Sequence, residues 1–150
     1  MGFHRSSHAV WDCRYHLIWS TKYRCRALKS EIERGACEKE LRRIANQYEM
    51  NIEIIEVDID HVHIYIEIPP QRSVGSAVGV LKSLSAQYMF KCFPKLRRLL
   101  RRGHLWEASY CVRSVGDGVT AEMVKRYIEK HSEKAQSSVQ LNLFPRGKGS

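Results

Sequence analysis

A chain of 150 residues, 43% hydrophobic and 27% charged, has the size and make-up of one globular domain with its own core. Lys and Arg number 25 against 16 Asp and Glu, a formal charge of +9 that favours a polyanionic partner, nucleic acid foremost. There is no apolar run long enough to span a bilayer, no signal-like N-terminus and no CxxC among five cysteines, so the expectation is a cytoplasmic protein with reduced thiols and no membrane partner.

Residues 9–19 mix aromatic and β-branched side chains in rough alternation and predict a first strand. Residues 20–28 are a basic connection with Lys22, Arg24 and Arg26. Ile32, Ala36, Leu41, Ile44, Ala45 and Tyr48 recur at near-helical spacing, which predicts a long amphipathic helix over 30–49. Residues 51–58 alternate as a second strand, Ile59-Asp60 is a tight connection, and 62–68 form a third strand ending at Pro69-Pro70. Ser73 reads as the N-cap of a helix to about Cys92, ended by Pro94. A short basic helix or loop then runs to Gly103, with Lys95, Arg97, Arg98, Arg101 and Arg102 around Leu96, Leu99 and Leu100. Residues 108–115 predict a fourth strand, Gly116-Asp117-Gly118 a turn, and Thr120 caps a last helix to about Ala135. One domain over 1–135 and a mobile polar tail over 136–150 are expected. The order predicts an α+β fold: a ferredoxin-like βαββαβ antiparallel sheet with two helices on one face and an added C-terminal helix near the other.

Asp60-His61-Val62-His63 carries the chemistry. Strand side chains alternate faces, so His61 and His63 project from one side of a stiff element, a good half of a metal site. On the last helix Tyr127 and His131 are four apart and share a face. Two strand histidines, a helix tyrosine and a third ligand type point to metal-assisted attack by Tyr127 on a phosphodiester. The plainer reading has sheet histidines bonded to their neighbours and a core tyrosine.

His61-Val62-His63 matches the HUH motif, and the chain resembles the small single-tyrosine HUH transposases of minimal insertion sequences, the IS200/IS605 type. The likeness extends over Tyr15–Arg24, Asp60–His63 with Ile68-Pro69-Pro70, Leu81–Ser85, Leu105-Trp106 with Tyr110, Val115-Gly116 and Tyr127-Ile128-Glu129, in the family's order, roughly residues 9–135. The resemblance implies a DNA transposase that cuts single-stranded DNA through a 5′-phosphotyrosine on Tyr127 and rejoins it without ATP. It implies substrates with hairpin ends, a homodimer with joined sheets, and His61 and His63 as ligands of Mg or Mn. The family's third ligand is a glutamine four residues after the tyrosine. Here it is His131, and three imidazoles favour Mn or Zn over Mg. Asp60 is expected to hold a ligand histidine or the metal's water shell. Arg14, Lys22, Arg24, Arg72 and Lys82 are candidate DNA backbone contacts. Trp106 is a candidate base-stacking residue or a core tryptophan.

Gln140-Leu141-Asn142-Leu143-Phe144 resembles the short peptide by which bacterial proteins dock on the replication sliding clamp. Three other readings stay open. A domesticated relative would nick chromosomal palindromic repeats with the same tyrosine. A non-catalytic single-stranded nucleic-acid-binding module would display aromatics, not histidines, on its central strands. A zinc hydrolase would leave Tyr127 without a role.

Overall fold

The computed structural model describes residues 4–5, 10–101, 103–116 and 121–133. His4–Arg5 (β1) and Val10–Trp11 (β2) form a two-stranded ladder of their own. Arg14–Ser20 (β3) starts the main sheet. The first predicted strand is therefore two pieces, because Val10 and Trp11 pair with β1 and not with the main sheet.

Glu31–Gln47 (α1) begins with a capping box: Ser30 Oγ accepts from the Glu33 N–H, and the Glu33 carboxylate accepts from the Ser30 N–H. Asn51–Val57 (β4) and His61–Glu67 (β5) make a hairpin closed by the Asp58 N–H donating to the His61 carbonyl. Val74–Cys92 (α2) is capped by Ser73, and Pro94–Leu99 (α3) carries Pro at its start, where no N–H is required. Cys111–Ser114 (β6) is the part of 108–115 that pairs with β3. Ala121–Glu133 (α4) holds Tyr127, while its expected Thr120 cap and the 136–150 tail lie outside the described residues.

The four strands run in the order β4-β5-β3-β6, each antiparallel to its neighbour. On one face Leu17, Trp19, Val62, Ile64 and Ile66 pack against Leu41, Ile44, Val78 and Leu81 of α1 and α2. Each such fully buried Leu or Ile contributes about 1.5–3 kcal/mol of transfer free energy. On the other face Tyr65 meets Val124 and Ile128 of α4. Covered on both sides, β5 is buried at all of its positions. Among the described residues no helix is long and apolar enough to cross a membrane.

Candidate functional site

Register decides what faces the site. Ser20 pairs with His61, Ile18 with His63 and His16 with Tyr65, so the period of two brings His16, His61 and His63 to the face that α4 covers. The rings of His61 and His63 lie 5.0 Å apart. His63 is 1% exposed.

His61 donates from Nδ1 to Asp60 Oδ1 at 2.7 Å, and its Nε2 lies 3.8 Å from Asp58 Oδ2. Asp60 is held in turn. Its carbonyl accepts from the Thr21 N–H, and its Oδ2 lies 3.6 Å from Arg24 Nη2. Burial pushes the Asp60 carboxyl up, but the His61 hydrogen bond and charge, with Arg24, outweigh it and leave the group below the ordinary carboxylate range. Asp60 is thus a fixed anion beside the His61 imidazole.

Tyr127 stands on α4 between Val124 and Ile128, which dock on Tyr65, Ile54 and Val115. It is 36% exposed, with its ring edge-on to His16 at 5.8 Å. His131 is one turn later on α4, and its side chain lies outside the described part. Among the described residues no group of three His, Cys, Asp or Glu side chains is gathered for a metal. The two imidazoles His61 and His63 fit such a group as part of its ligand set, since neutral imidazole is a good ligand.

The basic candidates separate. Arg14 is 8% exposed, donates to Tyr65 Oη at 2.8 Å and pairs with Asp12 at 2.8 Å, so its guanidinium is engaged inside the fold. Arg24 is committed to Asp60. Lys82 donates to the carbonyls of Glu107 and Ser109 at 2.6 and 2.8 Å. Lys22 and Lys82 line one open groove with His104 and Trp106. Arg72 lies over the Tyr48 ring at 5.2 Å, just before α2. Arg97, Arg98 and Arg101 line a separate depression around Pro94. Trp106 is buried: its Nε1 donates to Ser85 Oγ at 2.9 Å and its ring meets Trp19, which makes it a core tryptophan.

The structure therefore brings Asp60, His61, His63 and Tyr127 to one region, together with His16, which sequence reasoning passed over. His16 Nε2 lies 3.3 Å from His63 Nδ1. The available signal was parity: His16 sits on the even-numbered side of a strand whose neighbours, Tyr15 and Leu17, are apolar.

Residues 9–131 match the family described as "Transposase IS200 like". The chain is 38% identical over 125 residues to the ISDra2 transposase TnpA of Deinococcus radiodurans, covering 83% of this chain and 88% of that one. It is 33% identical over 144 residues to the transposase for insertion sequence element IS200 of Salmonella typhimurium, covering 95% and 93%. A crystal structure of a D. radiodurans R1 chain assigned as a transposase superposes with a TM-score of 0.69 at 37% identity, over 85% of this chain and 96% of that one. A REP-associated tyrosine transposase bound to a REP hairpin shares the fold, with a TM-score of 0.52 at 8% identity over 86% and 69%.

Proposed function

The chain belongs to the IS200-like transposase family, and from that premise we propose that it cuts and rejoins single-stranded DNA at insertion-sequence ends, with Tyr127 as nucleophile. The observation that carries the reading is the tyrosine of α4 packed, through His16, against the sheet face that bears His61 and His63. The sheet order, with α1 and α2 on one face and α4 on the other, supports a ferredoxin-like core with an added nucleophile helix.

In the first step the Tyr127 phenol oxygen bonds to phosphorus and the P–O3′ bond breaks. The phenol proton is balanced by protonation of the departing 3′ oxygen. The product is a 5′-phosphotyrosine and a free 3′ hydroxyl, so bond energy is retained and rejoining needs no ATP. His61 and His63, with His131 as third ligand, would hold a divalent metal, Mg or Mn with Zn the alternative. When bound, it withdraws charge from the phosphate oxygens. Asp60 fixes the His61 ring, and Arg24 and Thr21 fix Asp60.

The partners belong to the same reading: single-stranded DNA with hairpin ends, a second copy of this chain joined through its sheet, and cytoplasmic placement. A hairpin-bound tyrosine transposase of the same fold and the +9 charge support the nucleic-acid partner. The Gln140–Phe144 peptide is proposed as a sliding-clamp contact and lies outside the described residues. It predicts that clamp retains wild type in a pull-down and releases a Leu143→Ala, Phe144→Ala double variant.

A denaturing gel tests the chemistry. Protein is mixed with labelled single strands from the DNA flanking its gene and Mn²⁺, using wild type, Tyr127→Phe and His61→Ala. A labelled protein–DNA band in wild type alone is the expected result. Cleavage without an adduct makes the protein a hydrolase, and binding without cleavage makes it a binding module.

A further inference from the structure

Within that reading, on which this inference rests, we infer that His16 is a positioning residue for both His63 and Tyr127. Its Nε2 lies 3.3 Å from His63 Nδ1, and in the inferred arrangement His63 donates its Nδ1–H and His16 accepts. That bond holds His63 in the tautomer whose Nε2 carries the lone pair, the form that ligates a metal.

Three observations support the assignment. The rings of His16 and His63 have their centroids 5.5 Å apart and their planes within 23°, so with 3.3 Å between the nitrogens they meet edge to edge and nearly coplanar, the geometry in which a ring N–H points at the other ring's in-plane lone pair. The same His16 ring meets the Tyr127 ring edge-on at 5.8 Å and 89°. One buried side chain thus touches a proposed ligand and the proposed nucleophile together. The third is the parallel at His61, where Asp60 occupies Nδ1. Both HUH histidines then have Nδ1 engaged by a partner inside the fold, a carboxylate for one and an imidazole for the other. An aliphatic residue at position 16 would fill the space but accept no proton.

Two substitutions separate bonding from packing. His16→Gln keeps a hydrogen-bond acceptor and loses the ring. His16→Phe keeps the ring and loses the acceptor. The first readout is the long-range ¹H–¹⁵N spectrum of the His63 side chain at about pH 8, above the ordinary histidine range. Wild type and His16→Gln should show Nδ1–H on His63, and His16→Phe a mixture of tautomers. The second is Mn²⁺ affinity by calorimetry on folded protein, where His16→Phe should bind about 10- to 100-fold more weakly and His16→Gln within a few-fold of wild type.

An Nε2–H tautomer of His63 in wild type overturns the inference, as does wild-type Mn²⁺ affinity in His16→Phe. If wild type binds no Mn²⁺ and forms no adduct, the proposed function fails, and the wild-type tautomer alone still decides the role of His16. The same spectrum decides it should the Phe variant not fold.

Discussion

The Asp60 carboxylate and the His61 imidazole, neighbours along the chain, are also bonded in space, Oδ1 to Nδ1 at 2.7 Å. Under the proposed function, the contact leaves Nε2 of His61 as the nitrogen that would ligate the metal. Asp60→Asn keeps the shape and removes the charge, and its amide can turn a donor toward Nδ1. Mn²⁺ affinity should fall about 10- to 100-fold with the melting temperature little changed. Calorimetry showing unchanged affinity would reduce Asp60 to a turn residue.

Lys82 gives a pH signature. Burial pushes its ammonium down from 10.5 to about 8, against the upward pull of Glu107. Between those values the unfolded chain holds more protons than the folded one, so this group makes stability rise with pH across about 8 to 10.5. Urea unfolding at several pH values should show wild type gaining on Lys82→Met over that window. Parallel curves would mean that the carbonyls of Glu107 and Ser109 keep the lysine charged.

Ser85 and Trp106 form a buried polar pair, Oγ accepting from Nε1 at 2.9 Å. Ser85→Ala leaves the indole N–H without this acceptor and should destabilise the protein by about 1–3 kcal/mol. The urea midpoint checks it. A neutral result would mean that water has replaced the hydroxyl.

The tyrosine helix rests on few apolar anchors, Val124 and Ile128 against Tyr65. Truncations such as Ile128→Ala remove about 2–5 kcal/mol of packing when fully buried. Here the loss should fall on the docking of α4 and not on the sheet. Amides of α4 should exchange faster, those of β3 and β5 should keep their protection, and adduct yield should drop. Uniform loss of protection would show α4 to be part of the global folding unit.

Much of this was readable along the chain because it is local. The alternation of His61-Val62-His63, the Ser73 cap and the helix that carries Tyr127 depend on spacing alone. What escaped depends on pairing between distant segments. His16 gains meaning only when Ile18 is known to oppose His63. Arg14 looked like a phosphate contact, but Tyr65 is 51 residues away and invisible as its acceptor until β5 lies beside β3. Lys82 likewise depends on carbonyls of a loop 25 and 27 residues on.

The turn after β3 has a consequence of its own. Tyr23 and Arg24 both adopt left-handed backbone, φ 58° and 51°, a state that disfavours L-residues by about 1–2 kcal/mol each. The turn is stitched in place at three points. The Lys22 N–H donates to the Leu105 carbonyl, the Tyr23 N–H to the Glu107 carboxylate, and Arg24 pairs with Asp60. Release at Glu107 therefore lets the turn relax, and the relaxation reaches His61 through Arg24 and Asp60. Glu107, which touches neither histidine, is thereby joined to the site through a backbone N–H at position 23 and the side chains of Arg24 and Asp60, and positions 24, 60 and 107 should be inherited as a set.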